Sequence, residues 1–390
     1  MWQSFHDAWW RLATSSRPHT FGQALGSGAL RAGAAAYRCA VAARSLGYDR
    51  GWLPAARLPC RVISVGNLTV GGTGKTACVE WLARRLLAQS RRVAVVTHGY
   101  GGRAVRYALW LEGGRLLVED LEGCASSPAE VPTPTPAVWR LADEPQLLAL
   151  RLPGMPVLVG ADRVASGRQA CERFGADTVL LDDGFQHRRL ARDCDIVLVS
   201  SHMPLGGWEL LPRGPMREPL AAVRRAQVLI ITKADESLAT LGAMEERLQA
   251  LAPAAVVAAA AHAPRALLDP RTGDEQPPRA LEGCAVGLVS SIGDPDGFES
   301  TVRGLHAGIA WHRRFPDHHR YTAQDWAQVA AQAASGGASM IVTTEKDWIR
   351  LGAVAAAAPP AMPLRVLRVA LTLLRGAEDL DARLAGVCAR

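Results

Sequence analysis

The sequence predicts an α/β fold: a parallel sheet covered by helices on both faces, followed by a second, smaller α/β domain. Apolar, β-branched runs such as Arg61-Val62-Ile63-Ser64-Val65 recur along the chain. Glycine turns and then helical patterns follow them, which is how parallel strands with crossover helices read. At 390 residues the chain is also too long for one small core.

Taken in order, the N-terminus places Trp2, Phe5, Trp9 and Leu12 at helical spacing, with Gln3, His6, Asp7 and Arg11 opposite. Ser15-Ser16-Arg17-Pro18 ends that pattern. The apolar face suits a membrane interface and equally suits the protein's own core. Arg31, Arg38 and Arg44 interrupt residues 26–46, and no stretch reaches the roughly 18 uninterrupted apolar residues of a membrane span. The run at 61–65 enters Gly66-Asn67-Leu68-Thr69-Val70-Gly71-Gly72-Thr73-Gly74-Lys75-Thr76, and a helical pattern covers 77–88. A strand, a glycine-rich turn ending in Gly-Lys-Thr and a helix form the phosphate-cradling loop of nucleoside-triphosphate enzymes. Backbone N–H groups of Gly71, Gly72 and Gly74 can wrap phosphates, Lys75 can reach the β and γ oxygens, and the Thr76 hydroxyl can ligate Mg2+. Thr69 stands where the usual pattern has its first glycine, and Thr73 precedes the last one. The first domain is therefore of the P-loop NTPase type and handles ATP or GTP.

A second strand at 92–97 ends in His98-Gly99-Tyr100-Gly101-Gly102-Arg103. Residues 110–137, with Ser126-Ser127-Pro128 and Pro132-Thr133-Pro134-Thr135-Pro136, read as a surface loop. A helix from Asp143 to Leu150, a strand at 156–159 and a helix from Arg163 to Phe174 follow. The strand at 177–181 runs into Asp182-Asp183-Gly184-Phe185-Gln186-His187, and further strands occupy 195–200 and 227–232. Residues 234–284, rich in Ala and Pro, read as a connection with a helix near 244–251 and a peripheral strand. A new β/α succession starts at Ala285. The expected division is 1–46 N-terminal amphipathic, membrane-associating helices, 47–233 P-loop domain, 234–284 connection and 285–390 smaller C-terminal α/β domain.

Composition bounds the chemistry. With 49% hydrophobic and 21% charged residues the chain is an ordinary globular protein. A formal charge of +7 favours anionic partners without choosing among nucleotide, anionic lipid and nucleic acid. Eight cysteines, at 39, 60, 78, 124, 171, 194, 284 and 388, form no C-x-x-C pair. Neither a zinc site nor a disulfide framework is indicated, which fits a reducing compartment.

Among the acids, Asp182 and Asp183 end an apolar strand downstream of a phosphate loop, where such enzymes hold Mg2+ through a carboxylate. His187 lies four positions on. Asp143 reads as a helix-capping aspartate by pattern alone. Asp317 and His318, within Phe315-Pro316-Asp317-His318-His319, pair a carboxylate with an imidazole as a general base requires. Thr232-Lys233-Ala234-Asp235 imitates the guanine-reading element of GTPases and supports an alternative, a P-loop GTPase of the metal-insertion chaperone type.

Several segments together resemble the tetraacyldisaccharide 4′-kinases of lipid A biosynthesis. They are the phosphate loop at 65–76, Gly99–Gly102, Asp143-Glu144-Pro145 with Leu147–Ala149, Asp182–His187, Leu211-Pro212-Arg213-Gly214-Pro215 with Arg217-Glu218-Pro219, Phe315–His319 and Thr344-Glu345-Lys346-Asp347. The chain departs at His98, commonly arginine in the family, and at Ala142, commonly glycine. The resemblance implies a kinase on the cytoplasmic face of the bacterial inner membrane, peripheral or monotopic. Its action is to move the γ-phosphate of ATP onto the 4′-hydroxyl of tetraacyldisaccharide 1-phosphate, with two α/β domains flanking the active site. Carried over by position, Thr69, Gly71, Gly72, Thr73, Gly74, Lys75 and Thr76 bind ATP, and Thr76, Asp182 and Asp183 hold Mg2+. Asp143 and His318 activate the sugar hydroxyl, and Tyr100, His187, Arg213 and Arg217 are substrate candidates. The lipid and a membrane surface are the expected partners; no nucleic acid or protein partner is implied.

Overall fold

The computed structural model describes residues 21–99, 106–122, 128–133, 141–203 and 208–388. The amphipathic pattern of residues 1–20, Tyr100 and Pro134–Pro136 lie outside the described residues. Helix α1 (Phe21–Asp49) precedes strand β1 (Arg61–Asn67), α2 (Lys75–Ala88) and β2 (Val93–Thr97). Then come β3 (Tyr107–Glu112), β4 (Arg115–Asp120), β5 (Ala129–Val131), α3 (Asp143–Arg151), β6 (Val157–Val159) and α4 (Arg163–Phe174). Next are β7 (Thr178–Asp182), β8 (Cys194–Ser200), β9 (Val228–Thr232), α5 (Leu238–Leu251) and β10 (Val256–Leu268). The chain ends with β11 (Glu275–Gln276), β12 (Ala285–Ser290), α6 (Pro295–Gly304), β13 (Gly308–Arg314), α7 (Ala323–Ser335), β14 (Met340–Thr344), α8 (Glu345–Ala357), β15 (Leu364–Arg375) and α9 (Ala377–Cys388).

The described residues fall into two compact units, each discontinuous in sequence. The first draws on Met1–Lys75, Gly167–Ala261 and Thr372–Arg390, the second on Thr76–Ser166 and His262–Leu371. In the first, five parallel strands follow the order β10-β9-β8-β1-β7. β1 is flanked on both sides and almost wholly buried, so its run of Val62, Ile63 and Val65 needs no polar face. Leu241, Met244 and Leu248 of α5 close over Val197, Val199, Leu229 and Ile231 of the sheet. Helix α1 belongs to this unit. The Tyr37 hydroxyl donates to the Arg217 carbonyl at 3.0 Å, and Gly33 sits so near Pro212 that an added Cβ would lie 3.1 Å from its Cγ.

In the second unit, β2 and β6 are parallel, and β6, β3, β4 and β5 continue as antiparallel neighbours. A further parallel set runs β13-β12-β14-β15, covered by Trp326 and Val329 of α7 and by Phe298 and Val302 of α6. The expected surface loop over 110–137 is corrected here, because β4, β5 and the end of β3 occupy much of it. Gly113 and Gly114 take φ of +56° and +77°, the tight hairpin geometry that glycine pairs favour. The alternation that buries Leu116 and Val118 was hidden by the proline-rich sequence after it.

Candidate functional site

The phosphate loop grows out of the buried end of β1. Gly71 and Gly74 adopt φ of +108° and +82°, conformations that residues with a Cβ rarely take. A Cβ built on Gly71 or Gly72 meets nothing within 4 Å, so the loop faces open space there. Thr69 explains its own departure from pattern. It is 6% exposed and bridges Met216 in antiparallel pairing, while Val70 N–H donates to the Pro215 carbonyl at 2.8 Å and Arg217 N–H to the Leu68 carbonyl at 2.7 Å. Extended, paired backbone at this position has no need of glycine.

Lys75 opens α2, and its ammonium is tethered in two directions. It donates to Asn67 Oδ1 at 3.4 Å and lies 3.6 Å from Asp183 Oδ1. Asn67 Nδ2 in turn donates to Thr73 Oγ1 at 2.9 Å, so one asparagine links strand, loop and lysine. Thr76 follows directly and is nearly buried.

The Asp182–His187 segment is folded against the base of β1. Val65 pairs in register with Asp182, and Gly184 N–H donates to the Val65 carbonyl at 3.0 Å. Gly66 is required by crowding: a Cβ there would lie 2.6 Å from Phe185 Cβ and 2.8 Å from Phe185 N. Phe185 is fully buried, with the Arg225 guanidinium 4.3 Å from its ring centroid. Gln186 Nε2 donates to the Asn67 carbonyl at 3.0 Å and to Glu218 Oε1 at 3.1 Å. Asp182 ends β7 at 2% exposure. Asp183, at φ +50°, accepts two contacts from Arg217 NH1 at 2.9 and 2.8 Å.

These residues suit Mg2+ and a phosphate chain. An aspartate carboxylate and a threonine hydroxyl are hard oxygen donors, and Mg2+ takes few protein ligands beside phosphate oxygens and water. The open glycine cradle and the tethered ammonium match an anionic ligand. Asp183 is in addition engaged by Arg217 and Lys75. Of the substrate candidates, Arg217 is drawn to Asp183, and Arg213 pairs with Glu209 at 2.6 Å and donates to Ser27 Oγ at 3.1 Å. His187 closes a turn, its N–H donating to the Gly184 carbonyl at 2.8 Å. Thr232–Asp235 sits at the end of β9, with Lys233 left-handed at φ +56° and its carbonyl accepting from Ser201 Oγ at 2.6 Å.

In the second unit Asp143 and His318 meet, although 175 positions separate them. His318 Nδ1 lies 3.2 Å from Asp143 Oδ2. Asp143 is the first residue of α3 rather than its cap, since Ala142 holds the N-cap position without a side-chain bond. Its carboxylate is thus directed outward from a helix start that already favours negative charge. His318 takes φ +58°, and its N–H donates to the Ser291 carbonyl at 3.1 Å. The hydrogen bond to Asp143 raises its pKa above the ordinary imidazole value of 6.5, outweighing burial and the opposing charge of Arg350. The neighbouring His319 does another job: it stacks on Phe315 at 4.8 Å between centroids and pairs with Asp325 at 3.0 Å.

Around this pair stands a network built on the Thr344–Asp347 segment, whose roles and whose tie to Arg350 sequence reading did not show. Asp347 is fully buried and accepts from Ser291 N–H at 2.8 Å, from the Ser291 hydroxyl, from Tyr321 OH at 3.0 Å and from Thr344 Oγ1 at 2.6 Å. Arg350 Nε reaches Asp143 Oδ2 at 3.3 Å. Lys346 pairs with Glu144 at 2.6 Å, and the far end of α3 is held by Arg151, which pairs with Glu80 of α2 and Glu345 of α8. The available signal was the i, i+3 spacing of Asp347 and Arg350 on one helix face.

The family model "Tetraacyldisaccharide-1-P 4'-kinase" matches residues 27–389. The chain is similar to a tetraacyldisaccharide 4'-kinase of Anaeromyxobacter dehalogenans strain 2CP-C, 43% identical over 97% of this chain and 93% of that protein. It is 41% identical to the one from Syntrophus aciditrophicus over 85% of this chain and 86% of that protein. Among solved structures it resembles the "apo" form of LpxK from Aquifex aeolicus in complex with ATP, with a TM-score of 0.68, 28% identity, and coverage of 93% of this chain and 99% of that one.

Proposed function

Because the chain belongs to the tetraacyldisaccharide-1-P 4'-kinase family, we propose that it transfers the γ-phosphate of ATP to the 4′-hydroxyl of tetraacyldisaccharide 1-phosphate, forming lipid IVA. The observation that carries this reading is the phosphate loop with Lys75 tethered between Asn67 and Asp183. The GTPase alternative is set aside by family membership.

Phosphoryl transfer asks a protein mainly for alignment and charge neutralisation. The glycine N–H groups of residues 71–74 bind and orient phosphate oxygens. Lys75 places a positive charge where negative charge shifts during transfer, and its two tethers limit the reorganisation this needs. Bound Mg2+ would neutralise the β and γ oxygens, held by Asp182 and the Thr76 hydroxyl. Asp183, already engaged by Arg217 and Lys75, positions the lysine from the same turn. Asp143 and His318 take the proton from the attacking hydroxyl, with Asp143 fixing the imidazole's orientation.

Purified protein incubated with labelled ATP and tetraacyldisaccharide 1-phosphate should give a lipid carrying a second phosphate. In competition, ATP should outcompete GTP despite Thr232–Asp235. A clear GTP preference, or GTP hydrolysis without any lipid product, would overturn the assignment.

The acceptor is a lipid, so the kinase works at a membrane surface, which we place at the cytoplasmic face of the inner membrane. Among the described residues no helix is long and apolar enough to cross a membrane. Arg31 and Arg38 are exposed on α1, and Trp52 just after it is 69% exposed. Such arginines attract anionic headgroups at about 1 kcal/mol each. Removing residues 1–20, with Trp2, Phe5, Trp9 and Leu12, should weaken vesicle co-sedimentation and raise the apparent KM for lipid while ATP binding stays unchanged. Unaltered co-sedimentation would assign that segment to the protein's own core.

A further inference from the structure

We propose that Arg350, anchored by Asp347, is the positioning residue that holds the Asp143–His318 pair in working geometry; the inference rests on the proton-accepting role given to that pair above. The Arg350 side chain is 6% exposed, and its nitrogens diverge to four partners. Nε donates its one N–H to the Lys346 carbonyl at 3.2 Å and lies 3.3 Å from Asp143 Oδ2, NH1 donates to the Ser291 carbonyl at 3.2 Å, and NH2 lies 3.6 Å from Asp347 Oδ1. That same Ser291 carbonyl accepts the His318 N–H at 3.1 Å. One guanidinium therefore touches the carboxylate of the pair directly, and through a shared carbonyl it braces the turn that carries the imidazole. A planar, permanently charged fork is suited to this, and a lysine is not.

Asp347 faces the fork as an ion-pair partner, 3.6 Å from NH2 and without a hydrogen bond to it. It is fully buried and its oxygens are taken by Ser291, Tyr321 and Thr344, none of which can follow a wandering arginine. Thr344 also caps α8 by accepting from Asp347 N–H, so the Thr344–Asp347 motif and Arg350 form one rigid helix start. Helix α3 does not depend on Arg350 for its seat, because Lys346–Glu144 and Arg151–Glu345 join it to α8 at other points. Loss of Arg350 thus disturbs Asp143 rather than the helix.

The charges facing His318 are Asp143 of α3, Asp317 of its own turn at 3.9 Å, and Arg350 of α8. The two acids favour the imidazolium and Arg350 opposes it. Removing the arginine charge should therefore move the acid limb of kcat to higher pH, which lost packing alone would not do.

The test compares Arg350→Gln with Arg350→Lys in the lipid kinase assay across pH. Arg350→Gln should lower kcat by about 10- to 100-fold, the range expected when a reacting group is misplaced by about 1 Å. KM for ATP should hold and the acid limb should rise. Arg350→Lys should lose kcat with the limb unmoved. If circular dichroism shows the glutamine variant to be unfolded, the lysine variant decides: reduced kcat supports the inference and wild-type kcat overturns it. Asp143→Asn and His318→Ala are run alongside. Full turnover in those two would bring down the pair's role itself, whereas their inactivity beside a fully active Arg350→Gln overturns the positioning inference alone.

Discussion

Lys75→Ala should abolish nearly all turnover while leaving the protein folded. Removing one preorganised donor from a developing charge typically costs about 10²- to 10³-fold in kcat, and a lysine on the transferring phosphoryl group sits at the upper end of that range. The fold should tolerate the change because Asp183 keeps both contacts from Arg217 NH1. Asn67 likewise keeps its bond to Thr73. Product formation measured beside a thermal unfolding curve separates the two effects. Near-normal rates in a well-folded variant would remove the phosphate loop from the mechanism.

Asp143→Ala and His318→Ala should each lower kcat by roughly 10²- to 10⁴-fold, the span of general-base contributions. Groups serving one proton transfer lose their value together, so the double variant should be scarcely worse than the poorer single one. The pH dependence has a definite sign. His318 must be neutral to accept a proton, and its pKa is raised chiefly by the hydrogen bond to Asp143. Activity should therefore rise with pH along a limb lying above the ordinary imidazole value of about 6.5. In Asp143→Asn the main raising influence is gone, and the limb of the residual activity should fall back toward that value. Additive losses, or a limb unmoved in Asp143→Asn, would show that the two side chains do unrelated work.

Much of the nucleotide-handling segment was legible because its chemistry is local. A buried strand, glycines at positions needing φ above zero and a following lysine lie within about a dozen consecutive residues, where periodicity and turn chemistry operate. Thr69 was harder, since what excuses the missing glycine is pairing with Met216, far along the chain. The hairpin of β3 and β4 was masked by the prolines after it, although Gly113-Gly114 between alternating runs was its signal. Asp143 read as a cap by local pattern, and only the fold shows it facing His318 and Arg350. Asn67 lies inside the phosphate-loop segment without a role read for it, and Arg350 carries no motif of its own. Their importance comes from which neighbours the strand order supplies.

Each compact unit is assembled from separate stretches of chain, and this bears on synthesis. The stretch Thr76–Ser166 emerges early from a ribosome, yet its partner His262–Leu371 follows about a hundred residues later. The earlier unit, in turn, draws on Thr372–Arg390. At translation rates of about 5–20 residues per second, β2, β3 and β6 must wait roughly 10–40 s before the last stretch of their unit has been made. During that interval the charged side chains of α3 that α8 later pairs, and the edges of a partly built parallel sheet, stay exposed, a condition that favours association between nascent chains. Heterologous yield of this protein should accordingly depend more on slow elongation and on chaperones that shield incomplete sheets than on the stability of the finished molecule.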